Sequence, residues 1–284
     1  MGWVGAPFVW NSGCRDWTLL EFLSQMSWRS RILEFLRGVT LVVAGTFTSI
    51  IPGGRARLAL TPHERPLRLP WLNMLAFPIC GLTSEEVAAY AAVGPKPSGP
   101  FRLATSGRII GWKGLPLALR AFARLRRDVP DCEYWIIGDG SERGRIERMA
   151  RELGVAKGVT IFGWLPRDEA LRRVASADVI VQPGLHEQVS YAILEAMALG
   201  RPVICMRKGG SAQIVGDAGL LVEVREPDQV VADIHQALAR LHAEPGLTAS
   251  LGRQARQRLA ARWSWDVVGP MLLELYDRVA RRRR

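Results

Sequence analysis

The sequence predicts an α/β fold: a doubly wound parallel sheet over residues 99–263, preceded by a partial α/β portion. Three observations predict it. From residue 101 onward short apolar runs alternate with stretches of helical period. Glycines follow several of those runs, as strand-to-helix loops require. Before residue 98 no such alternation is legible.

The chain has 284 residues, 48% of them hydrophobic, enough for one to two domains with a real core. Its net charge is +11 and its pI is about 10.3, which points to acidic partners such as phosphorylated ligands or anionic lipid. A solvated basic surface with a terminal Arg281–Arg284 run accounts for the charge equally simply. No nucleic-acid-binding motif is present, so no nucleic-acid partner is expected. Cys14, Cys80, Cys132 and Cys205 are scattered without a C-x-x-C pair, and Cys132 and Cys205 neighbour or sit in apolar strands. That usage fits a reducing, cytoplasmic setting. Trp3, Gly2 and Pro7 stand where a signal peptide needs a basic start and an apolar core. The most apolar run, Val39 to Ile51, is short for a membrane span. Peripheral contact with an anionic membrane, on its inner face, stays open.

Residues 1–98 read as an incomplete unit. Gly2 to Trp10 suggests a strand entering a loop; Leu19–Leu23 and Ile32–Leu36 suggest amphipathic helices; Leu41 to Ile51 fits either element. Pro62, Pro66, Pro70 and Pro78 break up the segment from 62 to 78, and Trp3, Trp10, Trp17, Trp28 and Trp71 lie in this half. Pro95 to Pro100 is a linker by composition.

The regular half then runs in order. Phe101–Ser106 is a strand. Leu117, Ala118, Ala121, Phe122 and Leu125 mark the buried face of a helix. Tyr134–Ile137 and Val159–Phe162 are strands, each followed by a helix: the first carries Ile146, Met149, Ala150 and Leu153, and the second runs from Arg167 to Ala175. The strand Asp178–Val181 leads to a helix starting near Ser190, which Gly200 and Pro202 terminate before the strand Val203–Met206. Leu220–Val222 is the next strand, with a helix from Pro227 to His242 after it. A last helix, about Trp265 to Ala280 with Ser264 as its N-cap, forms a C-terminal segment, 264–284. Right-handed crossovers place the loop sites along one edge, at the carboxyl ends of the strands.

Two loops on that edge carry chemistry. Gly107-Arg108-Ile109-Ile110-Gly111-Trp112-Lys113-Gly114 sets two cations five residues apart on a glycine-flanked loop, a spacing that can bracket a diphosphate. A solvated basic loop is the plainer alternative. Glu187 and Glu195 stand eight residues apart. Were both helical they would lie about 12 Å apart along the axis, too far for an acid/base pair. Glu187 is therefore expected in the loop at the mouth and Glu195 deeper, each at one end of an elongated ligand, with the helix-start amides between them. Gly138-Asp139-Gly140-Ser141-Glu142-Arg143 departs from G-x-G-x-x-G, since Arg143 replaces the last Gly and no ribose-binding acid ends the next strand. A nicotinamide or flavin cofactor is not expected. His63, His186, His235 and His242 have no metal-ligand spacing, and His235 and His242 are expected on a helix surface.

Glu187-x7-Glu195, with Leu194-Glu195-Ala196-Met197-Ala198-x-Gly200-x-Pro202-Val203 and Gly209-Gly210, resembles retaining glycosyltransferases of GT-B architecture, group 1 (family four). Gly107-Arg108-x4-Lys113-Gly114 resembles that family's G-R-x4-K-G. The resemblance implies a Rossmann-like donor domain at 99–263 that takes a nucleotide-diphosphate sugar, without cofactor or metal. It implies that Arg108 and Lys113 hold the diphosphate, Glu187 the donor sugar as catalytic residue, and Glu195 the ribose. Gln188, Val189, Ser190, Gly209 and Gly210 would form the sugar and phosphate loops, although the family has Gly-Phe-Gly where Gln188-Val189-Ser190 stand. Phe162, Gly163 and Trp164 would line the base. It further implies an acceptor domain of which residues 1–98 hold only the late part, with the last helix packing back on it through Leu272, Leu275 and Tyr276. The acceptor, a carbohydrate or a lipid-linked sugar, is not legible. The rival expectation is a non-catalytic nucleotide-binding or partner module of the same fold.

Overall fold

The structure, a computed structural model, describes residues 56–58, 73–75, 80–94, 96–185, 187 and 189–281. The readings of Val39–Ile51, the early tryptophans, Cys14, His63, His186 and Gln188 lie outside the described residues.

Strands β1 (Ala56–Leu58) and β2 (Asn73–Leu75) pair in parallel as a two-stranded sheet. Helix α1 (Ser84–Ala91) follows. A six-stranded parallel sheet is then built from β3 (Arg102–Ser106), β4 (Glu133–Ile137), β5 (Val159–Gly163), β6 (Val179–Gln182), β7 (Val203–Met206) and β8 (Leu220–Val222), in the spatial order β5-β4-β3-β6-β7-β8. The intervening helices are α2 (Leu115–Asp128), α3 (Arg143–Glu152), α4 (Arg167–Ala175), α5 (Tyr191–Ala198), α6 (Gly209–Val215) and α7 (Pro227–Ala243). Two more, α8 (Pro245–Arg262) and α9 (Trp265–Arg281), complete the described chain. The chain runs outward from β3 to β5, then returns to the other side of β3 with β6. The order therefore reverses between β3 and β6, and a crevice must open there at the carboxyl ends.

The central strands β3, β6 and β7 are buried on both faces, as a parallel sheet with helices on each side requires, while the edge strands β5 and β8 are partly exposed. Along β3, Leu103 faces one core layer with Phe122, Leu125 and Ile234, and Ala104 faces the other with Ile193, Leu194 and Leu259. Cys132 and Cys205 are buried as expected, and Cys80 with them. Burial pushes the Cys205 thiol up to about 12 and that of Cys80 to about 11. These thiols are inert core groups.

Leu82 and Tyr90, N-terminal to the Pro-rich stretch, share the second core layer, and Lys96 within that stretch is paired with Asp178 at 2.6 Å. Helix α1 has a sequence signature, Thr83-x-x-Glu86, realised as a reciprocal capping box. Backbone bonds from Leu82 N to Trp263 O (3.0 Å) and from Trp265 N to Leu82 O (2.9 Å) clasp its entry to the start of α9. The Ser264 hydroxyl donates to the Ala260 carbonyl of α8 at 3.2 Å, and the Ser264 carbonyl accepts from Val267 N and Val268 N at the start of α9. Leu272 is half-buried; the side chains of Leu275 and Tyr276 lie outside the described residues. His242 is exposed on α7, but His235 departs from the surface expectation, since its Nε2 is buried and faces Asp128 of α2 at 3.5 Å. Among the described residues no helix is long and apolar enough to cross a membrane.

Candidate active site

The crevice is opened by side chains. Backbone pairing between β3 and β6 covers Leu103 with Val179 and Ala104 with Ile180. Beyond it Thr105 Oγ1 donates to Val181 O at 2.7 Å, and Gln182 Nε2 donates to Ser106 O at 2.8 Å. Thr105 has one hydroxyl proton and spends it on Val181, so the Tyr134 hydroxyl, 2.8 Å away, is the donor in their contact. Both bridging side chains are buried, and they satisfy the carbonyls of Val181 and Ser106 where the two strands diverge.

The loop after β3 is locked from both sides. On one side Gly107 N donates to Ile137 O, Ile109 N to Asp139 O (2.8 Å), and Glu142 N to Ile109 O (3.0 Å). A Cβ at Gly138 would lie 2.0 Å from Gly107 O, and one at Gly140 2.4 Å from Ile109 O. The Gly138-x-Gly140 pair is thus explained by the approach of a neighbouring backbone. On the other side Leu185 N donates to Trp112 O, and Gly114, at φ 66°, presses on Pro183 O.

That lock positions the two cations. Arg108 is exposed, with its guanidinium 5.7 Å from the centre of the Trp112 ring. Lys113 turns inward: its Nζ lies 2.5 Å from Glu187 Oε1, with the side chains 16% and 8% exposed. The Glu187 Oε1 atom is fully buried and takes no well-directed hydrogen bond, so Lys113 serves as its charge partner. Glu187 sits in the loop as expected, but its side chain is less exposed than that of Glu195 (17%), which reverses the expected depths. Gly184 makes room for it, since a Cβ there would lie 2.6 Å from Glu187 Cγ and Oε1.

Gly209 and Gly210, expected in a loop, are the first residues of α6. Gly210 N donates to Glu187 O at 2.9 Å, so that amide holds the Glu187 loop and is not free for a ligand. Ser190 is buried ahead of α5, and its carbonyl accepts from Ile193 and Leu194. Val189 packs on the core.

Glu195 lies on α5 beside Arg167, the first residue of α4, which also bonds Glu86 at 2.7 Å. Burial raises the Glu195 carboxyl above the usual range, with Arg167 opposing the rise. Nothing in the sequence singles out Arg167, because its partners Glu86 and Glu195 lie far from it along the chain. One of the residues assigned to the base is Phe162, whose ring is turned to its neighbours in the fold. It packs edge-on to Trp135 at 5.2 Å under the Arg173 guanidinium. Trp164 is 72% exposed. Among the described residues no cluster of three or more His, Cys, Asp or Glu could hold a metal ion.

A parallel sheet with helices on both faces and a crevice at the reversal of its strand order, between β3 and β6, is a doubly wound, Rossmann-like α/β fold. The family model "Glycosyl transferases group 1" matches residues 88–258, and the chain belongs to that family. A GDP-mannose-dependent alpha-(1-6)-phosphatidylinositol monomannoside mannosyltransferase of Mycolicibacterium smegmatis is 34% identical over 177 residues, 59% of this chain and 45% of that protein. The chain thus spans about half the length of the curated relatives it matches. Sucrose-phosphate synthase from Thermosynechococcus elongatus has the same fold, with a TM-score of 0.63 at 23% identity over 79% of this chain and 58% of that one. The isolated C-terminal domain of a group 1 family glycosyl transferase from Francisella tularensis matches with a TM-score of 0.52 at 22% identity. That match covers 60% of this chain and 88% of that domain.

Proposed function

We propose that the chain binds a nucleoside-diphosphate sugar in the crevice between β3 and β6 and transfers the sugar, with retention, to a carbohydrate or lipid-linked acceptor. The observation that carries this is the Lys113–Glu187 pair: a cation that can meet phosphate and a carboxylate that can meet a sugar hydroxyl, held together where the strand order reverses. The family membership, and a relative whose name specifies GDP-mannose, support it.

The roles follow from charge. Arg108, exposed at the rim, and Lys113 meet the diphosphate. As the bond from the anomeric carbon to the diphosphate breaks, negative charge grows on the leaving oxygen, and these two cations stabilise it there. The acceptor hydroxyl forms the new bond to the anomeric carbon and gives its proton to the departing diphosphate oxygen. Diphosphate competes with Glu187 for Lys113, and the displaced carboxylate is then available to the sugar. Glu195 accepts from a ribose hydroxyl, and the backbone of Phe162, Gly163 and Trp164 flanks the base. Residues 99–263 act as the donor domain, 1–98 contribute to the acceptor side, and 264–284 pack back toward it. No metal or other cofactor takes part.

Thermal denaturation of the 284-residue chain with GDP, UDP, ADP and their sugars tests binding, since a ligand that binds only the folded state raises its stability. At least one nucleotide should raise Tm, and the matching nucleotide sugar should raise it further. No shift with any of the panel overturns the reading.

A further inference from the structure

We propose that Arg167 is a positioning residue for Glu195: its guanidinium, anchored on Glu86, holds the Glu195 carboxylate in place for a ribose hydroxyl. The inference rests on the ribose role given to Glu195 above.

The geometry joins three helices. Arg167 opens α4, and its Nε and Nη2 both lie 3.3 Å from Glu195 Oε1 on α5. The same Nη2 lies 2.7 Å from Glu86 Oε1 on α1. Glu86 cannot drift, because its Oε2 accepts from Thr83 N at 3.0 Å while its own amide donates to Thr83 Oγ1 at 3.2 Å. Thr83 in turn follows Leu82, which is clasped to the backbone around Ser264. An ordinary exposed ion pair must immobilise two long side chains and is worth about 0–1 kcal/mol. Here one partner is fixed by a helix cap and the other is mostly buried, so only the arginine remains to be ordered.

The charge logic agrees. A buried carboxylate without a cation tends to take up a proton. Burial raises the Glu195 carboxyl, Arg167 opposes that rise, and Glu86 adds to it. Glu86 itself is held below the usual range, first by the Thr83 amide and then by Arg167. The other titratable groups around the bridge are Tyr90 of α1, Asp168 of α4, Tyr191 of α5 and Cys80, which lies ahead of α1. Arg167 is thus the cation available to keep Glu195 an acceptor. Its side chain is 55% exposed, so replacing it leaves the core intact.

The test uses the full chain and two readouts. Carboxyl-carbon NMR follows the titration of Glu195 without ligand, and calorimetry measures UDP and GDP binding between pH 5 and 8. Arg167→Gln should move the Glu195 titration upward. It should also weaken the nucleotide that wild type binds by roughly five- to tenfold, most at the acid end, as loss of a charge-assisted partner implies. Arg167→Lys should recover part of both effects. In a Glu195→Gln background, Arg167→Gln should cost nothing further. An unmoved titration in Arg167→Gln, with Glu195→Gln still weakening the nucleotide, overturns the role of Arg167 alone. If Glu195→Gln leaves nucleotide affinity intact, the ribose assignment falls, and the purpose given to Arg167 falls with it.

Discussion

Lys113 Nζ and Glu187 Oε1 meet at 2.5 Å across the point where the strand order reverses, one from the loop after β3 and the other from the loop after β6. Both side chains are largely shielded from solvent, so the contact is not an ordinary surface pair. Lys113→Ala leaves Glu187 without its cation and, under the proposed function, removes a phosphate partner. Arg108→Ala removes an exposed partner only. Each should weaken nucleoside-diphosphate binding by about 1.5–3 kcal/mol, the range for charge-assisted bonds. Lys113→Ala alone should also lower thermal stability, because Glu187 stays behind. Calorimetric titration with UDP and GDP checks the first claim and a melting curve the second. Equal affinity of wild type and the double variant would remove the diphosphate site from this loop.

The two glutamates should separate by ligand. Glu195→Gln should weaken free nucleotide, because a ribose hydroxyl loses a charged acceptor. Glu187→Gln should leave free nucleotide nearly unchanged and lower affinity for the nucleotide sugar. Parallel titrations with a nucleotide and its sugar decide it. Equal losses for both ligands in Glu187→Gln would mean that the ends are assigned the wrong way round.

The sheet was legible because a parallel strand buried on both faces must be an apolar run, and Tyr134–Ile137, Val179–Val181 and Val203–Met206 are such runs. Helix α8 was not, since apolar residues such as Leu251, Ala255 and Leu259 are outnumbered by arginines and small residues, so its helical period is weak. Helix α1 escaped because its Thr83–Glu86 signature spans four residues and no long apolar face comes after it. Within the site, the loop position of Glu187 and the order of Arg108, Lys113 and Glu195 were legible. The Lys113–Glu187 pairing and the bridge through Arg167 were not, because they join residues 74, 28 and 81 positions apart. Sequence spacing carries no information about which loops meet until the strand order is known.

Gly184 should tolerate no side chain, although its backbone conformation is open to any residue. A Cβ there would stand 2.6 Å from both Cγ and Oε1 of Glu187, closer than real contacts allow. Gly184→Ala should therefore displace the Glu187 side chain while the sheet stays intact. The expected result is an unchanged circular dichroism spectrum with loss of affinity for the nucleotide sugar, and little change for free nucleotide. Parallel loss of secondary structure would show that Gly184 serves the fold and not the placement of Glu187.

The pH dependence of stability should carry the mark of Glu195. Its carboxyl in the folded chain titrates above the usual range, because burial disfavours the ionised form more than Arg167 favours it. The unfolded chain, with an ordinary glutamate near about 4.3, releases its proton first. Between the two titrations the native state holds more protons, so stability falls as pH rises through that interval and stays lowered above it. Glu86 acts in the opposite sense: its lowered carboxyl contributes stability that is present above the ordinary range and lost on acidification. The wild-type curve mixes the two, so a difference is the proper readout. Glu195→Gln removes the first effect and leaves the Glu86–Arg167 bond in place. Its Tm relative to wild type should therefore rise from pH 4 to pH 7 and flatten above the folded-state titration. A Tm difference that falls over that range would mean that Glu195 is a net stabilising charge, with the Arg167 pair outweighing the cost of burial.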